Sequence, residues 1–268
     1  MRYSTFFVIF FYVATLGTAF GETGSTLEKA ETLMTQLKFY EAVFTLEPLV
    51  MADQKSKAQE KALWLANMLC ERLEEIFMEA YMEADADDIE TEKLEALNRL
   101  GADIKWNYFV GYVYSYGFLK RLVELYPNSS WRPAAEYYLI KKGYPVGALD
   151  HDETLKALHT YVIKYAKSGL AEVYMACLDI ANINHGIWAA LTYPDEPGPG
   201  GNMGDGFISG DPEKDKKRAA ACKAEALKYY AKFIANGHGA EVRKGALELY
   251  EKLKQNEKSG FGFITFGC

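Results

Sequence analysis

The sequence contains few of the residues from which most catalytic and metal sites are built. Its 268 residues include four histidines and four cysteines, and neither type shows the spacing of a metal-ligand motif. There is no Gly-x-Ser-x-Gly, no Cys-x-x-Cys and no phosphate-binding glycine loop. We therefore expect a protein that is not an enzyme and that uses no metal and no other cofactor, although a site assembled from distant residues would leave no such motif.

An excess of basic charge is also lacking. Thirty basic and thirty-seven acidic side chains give a net charge of -7. A surface of that sign repels phosphate backbones, which predicts that nucleic acid is not a partner. Because 49% of the residues are hydrophobic, the chain can bury a sizeable core, and one globular body is expected.

Residues 1–21 contain the one long apolar run. Arg2 is followed by an almost unbroken apolar run from Phe6 to Leu16 and then by small residues at Gly17, Ala19 and Gly21. That order is typical of a secretory signal peptide, and the run is shorter than the roughly 20 residues of a membrane span. The sequence thus predicts export to the periplasm or the medium, with membrane association only if this N-terminal segment stays uncleaved.

Export would make disulfides possible. Cys70, Cys177 and Cys222 lie in helical, apolar stretches, where a free cysteine acts as a small core residue. We expect that role. The alternative is a bridge from Cys177 to Cys222, which would close a loop around the most irregular segment and leave Cys268 unpaired.

Apolar residues recur at helical spacing through most of the chain, and we find no run of alternating strands, so the fold is predicted to be all-α. Ser25 with Glu28 forms a capping-box pattern that predicts the start of a first helix. Asp211-Pro212-Glu213 places a capping residue, a proline and an acid in the order that begins another.

Pairs of a small or aromatic residue and an aliphatic one recur at intervals of twenty positions. Each pair and its repeat twenty positions later are Ala42-Val43 and Ala62-Leu63, Phe118-Leu119 and Tyr138-Leu139, Ala157-Leu158 and Cys177-Leu178, and Ala226-Leu227 and Ala246-Leu247. Polar breaks separate the members at residues 53–56, 126–130, 167–169 and 236–239. This pattern predicts helix, break and helix, packed as antiparallel hairpins. Successive hairpins would stack to cover their apolar faces, and an ordinary helical bundle is the alternative.

Two of these segments resemble tetratricopeptide (TPR) repeats. Residues 37–43 look like a TPR turn and second-helix start, with Leu37 in place of the usual glycine, and residues 125–130 are similar to a junction in the bacterial envelope proteins related to BamD and CpoB. The resemblance implies a TPR-like hairpin solenoid over residues 22–257. It also implies a non-catalytic scaffold that binds a protein or peptide partner of the cell envelope in a concave groove.

A second resemblance supplies the alternative function. Residues 116–119 and 210–214 are similar to segments of the T component of TRAP transporters, also an exported helical protein. That resemblance implies an accessory protein that binds a small apolar ligand in a pocket between helices.

Aromatic residues are abundant, with nineteen tyrosines and four tryptophans. Amphipathic rings of this kind line binding grooves, and they also fill helix interfaces. The groove candidates are Trp106, Tyr108, Tyr112 and Tyr116, on what reads as an aromatic-dense helix, and Tyr161, Tyr165 and Tyr230, at the repeat positions.

Two segments interrupt the helical pattern. Residues 193–211 are rich in proline and glycine, which predicts an insertion loop beside the functional surface, with a short hairpin around Phe207 and Ile208. Its acids could offer oxygen atoms to calcium, but their spacing fits no EF-hand loop, so a flap is favoured. Residues 258–268 form a tail of glycine and large apolar residues that we expect to dock on the last hairpin.

Overall fold

The computed structural model describes residues 21–82, 91–107, 111–143, 151–194, 197–198, 201–202, 207–236 and 239–257. Within these ranges the protein is mostly helical, with eleven helices and two small antiparallel sheets of two strands each. The predicted helical class is confirmed at this level, and the strands are additions to it. Residues 1–20 of the expected signal peptide and the tail at 258–268 lie outside the described residues.

The contacts divide the chain into two compact units, residues 1–118 and 119–268. The single domain expected over residues 22–257 therefore spans both units.

The first unit is built around one long helix. Its helices are α1 (Gly21–Thr35), α2 (Phe39–Thr45), α3 (Glu47–Val50), α4 (Lys57–Met82) and α5 (Thr91–Arg99), and its strands are β1 (Ile104–Asn107) and β2 (Gly111–Tyr114). Helices α1, α2 and α3 and strand β2 all pack on α4. Helix α6 (Gly117–Leu125) begins in this unit, and the division falls after its second residue.

The second unit surrounds α9 (Ala171–Thr192). Its other elements are α7 (Arg132–Gly143), α8 (His151–Lys164), β3 (Pro197–Gly198), β4 (Gly201–Asn202), α10 (Pro212–Asn236) and α11 (Ala240–Lys254). Helices α7, α8 and α10 pack on α9, and α11 packs on α10. Because it is covered by three neighbours, α9 is buried along most of its length, and its buried residues include Asp179, Asn184 and His185.

The aliphatic pairs and the breaks fall where the sequence placed them. All eight pairs lie on helices, and the four breaks separate α3 from α4, α6 from α7, α8 from α9 and α10 from α11. Helix α2 contacts α4, α8 contacts α9 and α10 contacts α11. The periodicity therefore predicted local structure and some of the helix pairing.

One predicted helix start is confirmed and one is wrong. Asp211 caps α10, because its Oδ1 accepts hydrogen bonds from the backbone N–H groups of Glu213 at 3.1 Å and Lys214 at 3.2 Å. Helix α1 already begins at Gly21, so Ser25 lies inside it and does not cap it. A capping-box pattern marks the start of a helix only where the residues before it are not helical.

The hairpin predicted around Phe207 and Ile208 is also wrong. The described hairpin of this segment pairs Pro197 with Asn202 and Gly198 with Gly201. Phe207 is buried instead, with its ring centre 4.8 Å from that of His151. Of the suggested calcium ligands, Asp211 caps a helix, and Asp195, Glu196 and Asp205 lie outside the described residues.

The described cysteines are core residues. Cys70, Cys177 and Cys222 are buried free thiols, so the alternative bridge from Cys177 to Cys222 is wrong. Burial raises the pKa of each thiol because it disfavours the charged thiolate.

Candidate binding surfaces

The segment predicted as an aromatic helix is a β-hairpin. Strand β1 pairs with β2 so that Trp106 lies opposite Tyr112 and Ile104 opposite Tyr114. Directly opposed and alternate residues share one face of a hairpin, so these four side chains form a single apolar face. The expected helix fails because apolar residues at every second position suit a strand packed on α4.

The base of this hairpin is fixed to α4. The fully buried Tyr114 donates its hydroxyl to Asn67 Oδ1 at 3.1 Å, and its backbone N–H donates to Glu74 Oε1 at 3.1 Å. Burial raises the pKa of Tyr114 well above its usual value. Tyr116 packs against Tyr114 with the rings tilted and their centres 5.0 Å apart. The hairpin is thus anchored at its α4 end.

Four rings form what we call the aromatic row: Tyr40 on α2, Phe77 on α4, Tyr112 on β2 and Trp106 on β1. The ring centres lie 6.2 Å apart for Tyr40 and Phe77, 6.1 Å for Phe77 and Tyr112, and 4.9 Å for Tyr112 and Trp106. These distances and the tilted or edge-to-face angles are typical of attractive aromatic pairs. The row thereby connects three parts of the first unit.

The row passes from the core to the surface. Phe77 is buried, Tyr40 and Tyr112 are half-buried, and Trp106 is 52% exposed. At the other end, Lys93 Nζ lies 5.0 Å from the centre of the Tyr40 ring, the geometry of a cation–π contact. A half-exposed tryptophan supported by packed rings is a feature of binding surfaces.

Two of the predicted groove residues meet in the second unit, in what we call the tyrosine cluster: Tyr137, Tyr138, Tyr161 and Tyr165. The ring of Tyr161 lies 4.9 Å from that of Tyr165 and 5.8 Å from that of Tyr137. Tyr161 is buried, and its hydroxyl has no hydrogen-bond partner in the described part of the chain. The cluster joins α7 to α8.

Glu136 ties the edge of the tyrosine cluster together. Its carboxylate accepts hydrogen bonds from Arg132 at 2.6 Å, Lys164 at 2.6 Å and Tyr165 at 2.9 Å. Burial raises the pKa of Glu136, but these three donors outweigh that effect, and the pKa is lowered overall. The carboxylate therefore stays charged and holds α7 against α8.

Tyr230 is not a groove residue. It is fully buried on α10, and its hydroxyl donates to Asn182 Oδ1 at 2.8 Å. Since that hydroxyl has one proton, its 3.2 Å contact with His185 Nδ1 requires the imidazole to be the donor. Burial lowers the pKa of His185 to about 4 because it disfavours the imidazolium, and Lys223 adds to the effect.

The sequence candidates are distributed over both units. Trp106 and Tyr112 lie in the aromatic row, Tyr116 lies beside the hairpin base, and Tyr161 and Tyr165 lie in the tyrosine cluster of the other unit. Tyr108 lies outside the described residues. The row also contains Tyr40 and Phe77, and Lys93 contacts its end. None of these three residues was a sequence candidate, although Tyr40 lies in the TPR-like residues 37–43.

Among the described residues, no group of three or more His, Cys, Asp and Glu side chains is arranged to hold a metal ion. His159 Nδ1 lies 3.0 Å from the Tyr229 hydroxyl, and His151 packs on Phe207. No described helix is long and apolar enough to cross a bilayer.

Comparisons with known proteins found no matching family model, no matching curated protein and no matching solved structure.

Proposed function

We propose that this protein is a non-catalytic, exported scaffold of TPR-like helix hairpins that binds a protein or peptide partner in the bacterial envelope. The observation that carries the proposal is the aromatic row, because it ends in a half-exposed tryptophan held by packed rings. Aromatic side chains that become buried when a partner binds supply much of the binding energy at protein interfaces.

The TPR-like part of the proposal is supported at the junction of α1 and α2. Leu37 replaces the usual glycine there, and its φ of 60° lies in the left-handed region that favours glycine. The contacting helix pairs α8 with α9 and α10 with α11 are also compatible with stacked hairpins that leave a concave groove.

A second candidate function is the small-molecule role implied by the T-component resemblance. The buried Tyr161 hydroxyl without a hydrogen-bond partner favours it, because a ligand oxygen would satisfy that donor. A single ordered water would do the same, so this candidate ranks second.

Crosslinking in intact cells, followed by affinity purification of the full-length chain, tests the first proposal. We expect a specific protein partner whose recovery falls for Trp106→Ala and is retained for Ile163→Ala, a matched change at an α8 side chain that is 76% exposed. Recovery of no protein, together with a co-purifying small molecule, would favour the second candidate. N-terminal sequencing of the mature protein tests export, with Phe20 or Glu22 expected as the first residue.

A further inference from the structure

The charge of this protein is divided unequally between its two units. Residues 1–118 contain nineteen acidic and ten basic side chains, a formal charge of -9, whereas residues 119–268 contain eighteen acidic and twenty basic side chains, or +2. Counted over the described residues alone, the first unit has fourteen acidic and nine basic side chains, or -5, and the second has fourteen and nineteen, or +5. The acidity therefore belongs to the unit that contains the aromatic row.

Exposed acids occur on the three helices that carry Tyr40, Phe77 and Lys93. Glu41 follows Tyr40 on α2, Glu79 lies two residues after Phe77 on α4, and Glu92 and Glu95 lie on either side of Lys93 on α5. These carboxylates contribute to the net charge of -5 on the described residues of the unit that contains the row. Partner proteins of positive charge are attracted to a unit of this charge and anionic ones are repelled.

One end of the row already binds a cation of the chain itself. Lys93 Nζ lies 5.0 Å from the centre of the Tyr40 ring, so a ring of this surface is placed to accept an ammonium group. Trp106, at the other end, offers the ring type with the strongest attraction for cations, and about half of it is exposed.

We infer that the aromatic row of the first unit is a docking site for a cationic peptide segment, with arginine or lysine side chains over the Trp106 ring and apolar side chains between them. This inference rests on the proposed function and names the chemistry of the partner. Charge complementarity selects this occupant over an anionic or neutral segment, and aromatic packing provides the anchor.

The test uses the full-length chain and three fluorescein-labelled peptides of about twelve residues, long enough to span the row in an extended conformation. The basic peptide repeats Lys-Leu-Arg-Pro, the neutral one has Gln at each basic position, and the acidic one has Glu there. Fluorescence anisotropy is expected to show saturable binding of the basic peptide, with weaker binding of the neutral one and none of the acidic one. Raising the salt from about 50 to about 300 mM should weaken the basic complex several-fold by shortening the screening length.

Variants locate the binding. Trp106→Ala is expected to weaken binding of the basic peptide about tenfold, whereas Ile163→Ala leaves it unchanged. Lys93→Ala should tighten binding several-fold, because it removes a positive charge that competes with the peptide for the Tyr40 ring. Such a gain cannot come from misfolding, and far-UV circular dichroism checks that Trp106→Ala keeps its helix content.

Three results would overturn the inference: no saturable binding of the basic peptide up to about 1 mM, equal binding of the neutral peptide, or equal loss for Trp106→Ala and Ile163→Ala. Failure of the proposed function has a different signature, since crosslinking in cells would then recover no protein at all. Recovery of a partner that does not depend on Trp106 would leave the scaffold proposal standing and reject this docking site.

Discussion

Tyr137 on α7 donates its hydroxyl to Asp179 Oδ2 on α9 at 2.6 Å, and both side chains are buried. Burial raises the pKa of Asp179 because it disfavours the carboxylate, while Lys141 and the Tyr137 hydroxyl act in the opposite direction. Because burial favours the neutral form of the Asp179 carboxyl group, the stability of the second unit depends on pH.

Replacing Asp179 with asparagine should therefore change stability in a pH-dependent way. A raised folded pKa stabilises the protein below the unfolded value of 3.8, and that contribution is lost as the pH rises through the folded pKa. The amide oxygen of the introduced side chain can still accept from Tyr137, and the amide never ionises. We expect the free energy of unfolding of Asp179→Asn, relative to that of the wild type, to increase as the pH rises above 3.8. Urea unfolding at a series of pH values measures this difference.

Tyr137→Phe is the matched variant. It removes the hydroxyl but leaves the buried carboxyl, and we expect it to destabilise the unit by about 2 kcal/mol. A difference between Asp179→Asn and the wild type that stays constant with pH would contradict the assignment.

His185 predicts the opposite pH dependence. The folded protein binds a proton at this imidazole with a pKa of about 4, against 6.5 in the unfolded chain. This contribution to stability is complete above pH 6.5 and is lost as the pH falls towards 4, by at most about 3 kcal/mol. We expect His185→Gln to remove that loss, as measured by unfolding free energies over the same interval. An acid-side slope that persists in His185→Gln would place its origin elsewhere.

Gly117 cannot be replaced by a larger residue without a shift of the backbone. A Cβ at this position would lie 2.0 Å from the carbonyl oxygen of Gly101, and the Gly117 N–H donates to the Ala102 carbonyl at 3.1 Å. Overpacking of this kind costs about 3 kcal/mol, and we expect Gly117→Ala to lose that much unfolding free energy. Gly245→Ala on α11 is the control, because its Cβ meets nothing within 4 Å, and it should gain up to about 1 kcal/mol from helix propensity.

Leu37 is strained at the turn between α1 and α2. Its φ is 60°, which lies in the left-handed region. A residue with a Cβ atom is less stable there by about 1 kcal/mol. The Leu37 side chain is 74% exposed. Leu37→Gly should therefore stabilise the first unit slightly, by less than about 1 kcal/mol after the added freedom of the unfolded chain is counted. Thermal unfolding of Leu37→Gly and Leu37→Ala separates the two effects, since only glycine relieves the backbone. A lower midpoint for glycine than for alanine would refute this interpretation.

The described cysteines should behave as buried thiols. A thiol reagent is expected to label Cys70, Cys177 and Cys222 slowly in the native protein and rapidly in urea, because burial removes access and raises each pKa. Peptide mapping without reduction measures this directly. Detection of a peptide linking Cys177 to Cys222 would show that the protein isolated from cells differs from this structure.

The helical class, the eight aliphatic pairs, the breaks between helices and the Asp211 cap could all be predicted from the sequence. These features depend on residues a few positions apart, where periodicity, breakers and capping oxygens act locally. The sequence also flagged Trp106 and Tyr112 as candidates, although it assigned them to a helix.

Only the tertiary structure decided where the hairpin forms and which aromatic side chains are buried. Trp106, Tyr112 and Tyr114 suit a helix or a hairpin, and the face of α4 on which β2 packs selects the hairpin. An aromatic side chain is a surface ring at Trp106 and a core ring at Tyr230, according to whether a neighbouring helix covers it. Burial, partner and charge environment are set by residues distant in sequence, because each depends on which faces of the chain meet.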